Sequence, residues 1–415
     1  MRIRTTASLA GALVVGLVAG AAATIAFQGG AVEPREPRTG ARAIEEPGVA
    51  AAAVDHAAHE RPSAFLAWTP NGLPAGFGER VAALPDVADV TVVAEDNTWL
   101  VRSTTESGEV ADRPAPFMLP IDTAAVDPAS FDRFLPPADR DVTVALAHGE
   151  GILGATSAEL RELGPGATLT FETGTKVRIA AVLPDELVGA AELMVSREVG
   201  RKIGVDTERY VLLQPSASRS PTSARVERML RPLLPATLDP VYRQVQVRAP
   251  GETPYFRQGD AVLPPVLLKS LFGEFAARPV PSDPGYLQVD PRWMKEHIVT
   301  TTVPILGDVA CNRAIIPQLR GAMQELSDEG LGELIDQYNG CYSPRFVNRI
   351  PTASISHHTW GIAFDCNAES NPYGARPRQP ARLVEILRRW GFTWGGDWVV
   401  PDGNHFEYRR PAIAN

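Results

Sequence analysis

The chain has 415 residues, 44% of them hydrophobic, and a formal net charge of −9. That length calls for two folded units plus linkers, and 37 prolines with 35 glycines argue against an all-helical protein. No Lys/Arg-rich run relieves the acidic balance, so nucleic acid is excluded as an expected partner.

The N-terminus reads as a targeting segment. Arg2 and Arg4 precede an uncharged stretch from Thr5 to Val32 whose apolar part runs from Leu9 to Phe27. About 20 apolar residues are enough to cross a bilayer as a helix. The same stretch also reads as a secretory signal with cleavage near Ala21-Ala22-Ala23. Residues 1–30 are therefore expected to be a signal peptide or a membrane anchor. Positive charge before the segment, against mixed Glu and Arg after it, places the rest of the chain outside the cytoplasm either way. The membrane is a partner if the segment is retained. Residues 31–63 follow as a flexible linker, with His56 and His59 read as linker histidines.

Residues 64–248 read as a mixed α/β domain. The β-branched runs Val90-Thr91-Val92-Val93, Val142-Thr143-Val144-Ala145-Leu146 and Val177-Arg178-Ile179-Ala180-Ala181-Val182 are predicted strands. Ser157 is expected to cap a helix from Ala158 to Leu163, ended by Gly164-Pro165-Gly166, and a second helix is expected from about Thr222 to Arg231. From Gly151 to Asp185 the order of helix, Gly-Pro-Gly turn, strand, and second strand ending in Leu183-Pro184-Asp185 resembles the extracytoplasmic domains of ABC-transporter permeases. That resemblance carries no chemical group. It implies a spacer or a module that binds an envelope protein partner.

A Pro/Gly-rich connector, 249–284, is interrupted by the apolar run Val262 to Phe275, and a last unit spans 285–415. There Leu319, Ala322, Met323 and Leu326 share one helical face, as do Leu383, Ile386, Leu387 and Trp390. Pro380 opens the second of these helices and Gly391 stops it. The three cysteines fit an oxidising compartment. Cys311 and Cys341 flank a helical stretch and form the expected bridge, with three free buried thiols as the competing reading. An odd count leaves at least one cysteine without an intramolecular partner. Cys366 directly follows Asp365, so on a strand it faces the other way.

The chemistry concentrates in two segments, Ser356-His357-His358-Thr359-Trp360-Gly361-Ile362-Ala363-Phe364-Asp365 and Asp402-Gly403-Asn404-His405-Phe406-Glu407. A His and an Asp seven apart, joined by a distant His with a carboxylate three residues before it, form a zinc-hydrolase set. Three N/O ligands leave the fourth tetrahedral position open to water, as catalytic zinc requires. The nearby carboxylate can take a proton from that water as it attacks a carbonyl. His357 competes with His358, but only His358 has the seven-residue spacing to Asp365, and His357 is read as a surface histidine.

These segments closely resemble the zinc peptidases of bacterial cell walls, the family of D-alanyl-D-alanine carboxypeptidases and L-alanyl-D-glutamate endopeptidases. The family pattern Ser-x-His-x-x-Gly-x-Ala-x-Asp is matched at Ser356, His358, Gly361, Ala363 and Asp365. Gly391-Phe392-Thr393-Trp394-Gly395-Gly396-Asp397-Trp398 and Gly340-Cys341-Tyr342-Ser343-Pro344-Arg345 also look like family elements. The resemblance implies that His358, Asp365 and His405 hold Zn2+ and that Asp402 is the general base, an Asp where some members have Glu. Glu407, two residues from His405 on one strand face, is assigned to orienting that ligand. Asp397 is a rival carboxylate read as shaping its loop.

Arg345 is expected to clamp a substrate carboxylate or stabilise a developing oxyanion. Trp360, Trp394 and Trp398 either wall a groove or pack in a core, and His148 and His297 are read as structural. The expected fold is α+β: a C-terminal zinc peptidase domain with a small antiparallel sheet and flanking helices, preceded by a separate mixed α/β extracytoplasmic domain. The expected activity is hydrolysis of peptidoglycan stem peptides, by removal of a terminal D-Ala or by cutting L-Ala from D-Glu. Two other readings stay open: a non-catalytic zinc-stabilised wall-binding module, and an envelope-complex docking protein acting through residues 64–248.

Overall fold

Strand β1 (Phe65–Trp68) belongs to a ten-stranded mixed sheet with β2 (Val87–Thr104), β3 (Val110–Asp112), β4 (Leu119–Val126), β5 (Gly151–Gly154), β6 (Thr168–Phe171), β7 (Lys176–Leu183), β8 (Leu193–Ser196), β9 (Glu208–Pro215) and β10 (Gln246–Arg248). The structure is a computed structural model that describes residues 62–216, 221–252 and 263–409. The expected targeting segment, and nearly all of the linker with His56 and His59, lie outside these residues. Among the described residues no helix is long and apolar enough to cross a membrane.

The strand order is β10-β1-β9-β2-β4-β8-β5-β7-β6, with β3 on β2 and β6 returning to β2. The length of β2, 18 residues, makes this possible. Its first half pairs with β9, Ala94–Leu100 with β4, and Leu100–Thr104 with β6. Every residue of β4 is buried, as expected of a strand covered on both faces.

Two expected elements differ. The run Val142 to Leu146 is not a strand but part of a helix, Asp141–Ala147, whose buried residues Thr143 and Leu146 are three apart. That spacing puts both on one helical face, and burial outweighs β-branched propensity. The next helix is Ala155–Arg161, three residues earlier than expected, and Ser157 is buried inside it rather than capping it. Asp185 Oδ1 accepts from the Thr156 N–H at 3.2 Å and does the capping from a distant part of the chain. The helix Ser223–Leu230, capped by Thr222, falls where expected.

Beyond residue 263 the strands form smaller sheets. β11 (Ala277–Val280) pairs with β12 (Asp283–Val289), and β13 (Ile298–Val303) with β14 (Gly307–Asn312). A small antiparallel sheet follows, from β15 (Tyr338–Gly340), β16 (Ala363–Cys366), β17 (Phe392–Trp394) and β18 (His405–Tyr408), in the order β15-β16-β18-β17. Helices Ile316–Asp328 and Ala381–Arg389 flank it and bury the predicted faces, Leu319, Ala322, Met323, Leu326 and Leu383, Ile386, Leu387. Trp390 ties the two together, donating from Nε1 to Glu325 Oε2 at 2.7 Å.

The two parts expected as separate domains pack against each other. All the described residues fall within one compact unit. Trp99 of β2 lies in the same apolar core as the small sheet and meets Phe346 edge to face at 6.5 Å. The stretch read as a connector supplies Leu268, Phe272, Phe275 and Ala277 to that core, so its apolar run is packed rather than linking. Lys269 on the same helix reaches into the large sheet, donating to Glu192 Oε1 at 2.7 Å and to the Pro120 carbonyl at 2.5 Å. Arg209 donates from one side to Asp96, at 2.8 Å, and from the same nitrogen to the Thr352 carbonyl, at 2.7 Å. Apolar surface and polar groups of both parts are thus buried or paired across their contact.

Candidate metal centre

The small sheet sets two of the three expected ligands. In the antiparallel pairing of β16 with β18, Asp365 stands directly opposite His405, and Ala363 opposite Glu407. The two-residue period puts Ala363 and Asp365 on one face and Phe364 and Cys366 on the other, where both are fully buried in the core. Phe406 likewise packs on Phe364, stacked at 5.6 Å, while its neighbours His405 and Glu407 face the site. Cys366 is a buried free thiol and points away from Asp365, as its place on the strand requires.

His358 arrives on a short 3-10 turn, His357–Thr359, in which the Ser356 hydroxyl accepts from the His358 N–H at 3.4 Å. The chain must then turn sharply into β16, and Gly361 makes the turn with φ +67°. A side chain there would lie 2.8 Å from the Asn312 backbone nitrogen, so only glycine fits.

The three donor atoms converge. His358 Nε2 lies 3.1 Å from Asp365 Oδ1 and 3.1 Å from His405 Nδ1, and His405 Nδ1 lies 3.0 Å from Asp365 Oδ1. Donors around a tetrahedral ion at about 2.0–2.1 Å are about 3.3 Å apart, so a small outward movement admits such an ion. Among the described residues this trio is the cluster of His, Cys, Asp or Glu able to hold a metal ion.

The remaining ring nitrogens fix the tautomers. His358 Nδ1 is 2.7 Å from the Cys341 carbonyl, which only accepts, so Nδ1 carries the proton and Nε2 offers its lone pair. Burial also lowers the His358 pKa, against the pull of Asp365, and keeps the ring neutral. His405 differs. Its Nε2 is 3.2 Å from Glu407 Oε2 and its Nδ1 faces Asp365. Burial pulls this pKa down, but hydrogen bonds to the two carboxylates prevail and raise it to about 10. Asp365, despite burial, is held well below the ordinary carboxylate range by the two rings.

Glu407 is buried and is likewise held far below the ordinary range, its burial outweighed by His357, His405 and Arg409. His357 therefore is not a surface histidine: it is partly buried, with Nδ1 2.7 Å from Glu407 Oε2. It contacts the carboxylate that orients His405 and leaves the donor trio to His358.

A cleft of about 380 Å³ opens onto the trio and is lined also by Asp402 and Arg345. Asp402 is carried on a loop that folds back on Gly395, donating its N–H to the Gly395 carbonyl at 2.9 Å. A side chain at 395 would come within 2.7 Å of the Asp402 carbonyl, hence the glycine. Asn404 Nδ2 donates to Asp402 Oδ1 at 2.8 Å. Burial raises the Asp402 pKa above the ordinary value, with Asp365 and Glu407 adding to it and His405 and Arg345 opposing. A carboxylate so placed is suited to taking up and returning a proton. Arg345 lies 3.7 Å from Asp365 Oδ2 and keeps a weak 3.4 Å contact to the Ser343 carbonyl, so its guanidinium retains donors for a ligand.

Other candidates fall elsewhere. Asp397 is about half exposed, pairs with Arg388 and does not line the cleft. Trp360 and Trp398 line it, and Trp398 lies 5.1 Å from the His405 ring, whereas Trp394 stacks on Phe406 and donates to the Gly403 carbonyl at 2.8 Å. His148 Nδ1 lies 2.9 Å from the Val144 carbonyl at its own helix end, and His297 stacks on Trp293 at 4.7 Å. Cys311 and Cys341 are joined by a disulfide. Sequence reading missed Trp68, the last residue of β1, and Pro70 in the turn that follows, which also line the cleft. No local signal could have found Trp68, because β1 is buried at every position and reads as plain core.

Residues 350–408 match the family model for D-alanyl-D-alanine carboxypeptidase. No curated protein matches the chain. Among solved structures, the periplasmic region of MacB from Actinobacillus actinomycetemcomitans is similar at 14% identity and a TM-score of 0.32, over 45% of this chain and 88% of that one. The extracellular domain of the noncanonic ABC-type transporter YknZ from Gram-positive bacteria is similar at 14% identity and a TM-score of 0.29, over 45% and 100%. A domain of a putative permease protein from Porphyromonas gingivalis gives 14% identity and 0.28, over 48% and 93%.

Proposed function

We propose that this chain is an exported zinc metallopeptidase that hydrolyses peptidoglycan stem peptides. The observation that carries the proposal is the convergence of His358 Nε2, Asp365 Oδ1 and His405 Nδ1 within 3.1 Å on a cleft that also holds Asp402. The match of residues 350–408 to a peptidase family model supports it. In this reading the three residues hold Zn2+, which when bound supplies Lewis acidity toward a carbonyl and lowers the pKa of water.

The protein's own groups do the rest. Asp402 accepts the proton of the attacking water and hands it to the departing amine, so the carboxylate is regenerated with each turnover. Arg345 pairs with a carboxylate of the substrate, which sets the peptide's direction in the cleft. Glu407 and the Cys341 carbonyl hold the two rings in the tautomers that present lone pairs to the centre. The scissile bond is either D-Ala-D-Ala or L-Ala-D-Glu, and the N-terminal segment either anchors the chain to the membrane or releases it to the wall.

Incubation of the zinc-loaded full chain with purified muropeptides, followed by mass spectrometry, tests the reading. Loss of a single alanine identifies the carboxypeptidase, and separation of L-Ala from D-Glu identifies the endopeptidase. Unchanged muropeptides, with zinc bound, favour the wall-binding alternative.

A further inference from the structure

One stretch of the cleft lies between the motif segments that end at Arg345 and begin at Ser356, and belongs to neither. Val347, Asn348 and Arg349 line the cleft there, and all three are exposed. Asn348 and Arg349, neither of them glycine, are in the left-handed region at φ 54° and 58°. Such residues stay there only where surrounding contacts fix the backbone. Here the contacts come from two directions. From the large sheet, Arg209 of β9 donates to the Thr352 carbonyl at 2.7 Å and Asn97 of β2 to the Ala353 carbonyl at 3.3 Å. From β12, Gly285 approaches so closely that a side chain there would lie 2.4 Å from the Arg349 carbonyl.

The Arg349 side chain is oriented as well. Its Nε donates to the Tyr286 hydroxyl at 2.6 Å, and the guanidinium lies over the Tyr286 ring, 5.5 Å from the centroid. Tyr286 in turn pairs through its backbone with Arg345. The two arginines are thus held about one tyrosine, and both line the cleft. Their engagement differs. Arg345 faces Asp365, and Arg409, the third arginine of the lining, is paired with Glu407. Among the described residues no carboxylate pairs with Arg349, and nothing accepts from its two terminal nitrogens. An oriented, exposed guanidinium with both terminal nitrogens open is a fork that matches a carboxylate.

We propose that Arg349 is a substrate-binding residue that pairs with a second carboxylate of the peptide, an internal one, while Arg345 takes another. The proposal rests on the peptidase reading and deepens it: the cleft selects peptides that carry at least two carboxylates. The large sheet contributes by holding the loop that presents Arg349.

The test measures binding by calorimetry to metal-free full chain, so that no turnover intervenes. Two ligands are compared, a stem pentapeptide ending in D-Ala-D-Ala with its carboxylates free, and the same peptide with the internal carboxylates converted to amides. Arg349→Gln should weaken binding of the free peptide by about 5- to 10-fold, between an exposed ion pair and a charge-assisted hydrogen bond. Binding of the amidated peptide should not change. Arg349→Lys should recover part of the loss, because it returns the charge without the fork. The proposal is overturned by an equal loss on both peptides, which makes Arg349 a support of its loop, by no loss on either, or by a free peptide that does not bind the unaltered chain. Cleavage measured after zinc is restored separates this proposal from the reading it rests on. Equal losses in protein that cleaves the peptide sink the carboxylate site alone. A loss confined to the free peptide, in protein that never cleaves it, supports the site and sinks the peptidase reading instead.

Discussion

The Nδ1 atom of His358 lies 2.7 Å from the carbonyl oxygen of Cys341, whose sulfur is bonded to Cys311. A ring that faces the donor cluster is therefore aligned by a backbone atom, and that backbone is tied to β14 by a disulfide. Replacing both cysteines by serine should cost about 3–4 kcal/mol in the chain-entropy account of a loop this size. It should also weaken zinc binding while leaving all three donor side chains in place. Denaturant unfolding and zinc titration of the double variant check both, and an unchanged zinc affinity would break the link between bridge and site.

Each donor should be indispensable. His358→Ala, Asp365→Ala and His405→Ala should each lose the metal, since three ligands leave no redundancy. His357→Ala should keep it, with affinity reduced by about 10-fold through its contact to Glu407 rather than abolished. Zinc content by atomic emission separates these outcomes, and a metal-free His357→Ala would reassign the ligand.

Metal binding should release a proton. His405 has a pKa raised to about 10, so in metal-free protein it is charged at neutral pH and must lose the Nδ1 proton for the metal to bind. His358, with its pKa lowered, is already neutral and contributes none. Affinity should therefore rise with pH by about tenfold per unit through the neutral range and level off near the His405 pKa. Calorimetry in buffers of different ionisation enthalpy should count about one proton per zinc at pH 7.5. Glu407→Gln removes one of the two carboxylates that hold the charge and should lower that count. No proton release would contradict the charged state of His405.

The base should be separable from the ligands. Asp402→Asn should retain zinc and lower turnover by about 100-fold or more, the usual scale for loss of a general base. Asp397→Asn should do little, because Asp397 is exposed and paired with Arg388 away from the cleft. Steady-state rates of both variants at equal zinc occupancy decide it, and the reverse ranking would move the role to Asp397.

The site was more legible in the sequence than the fold around it. His358 and Asp365 are linked by a short local path, a capped turn, Gly361 and one strand, so their spacing alone carries the geometry. His405 is added by one strand pairing. The helical faces of Ile316–Asp328 and Ala381–Arg389 were legible for the same reason, since periodicity is local. What stayed hidden depends on distant partners. The helix Asp141–Ala147 overrides its β-branched residues by burying Thr143 and Leu146. The shift of the helix at Ala155 follows from capping by Asp185. Trp99 against Phe346, Lys269 on Glu192 and Trp68 in the cleft each join residues more than 70 positions apart, and no window of sequence contains both.

The most direct test of the central claim is a titration of metal-free full chain with zinc while cleavage of a stem peptide is followed by mass spectrometry. The rate should rise linearly, break at about one zinc per chain, and vanish when a chelator is added. Zinc that binds at one equivalent without any cleavage, or cleavage that persists undiminished in His405→Ala, would contradict it.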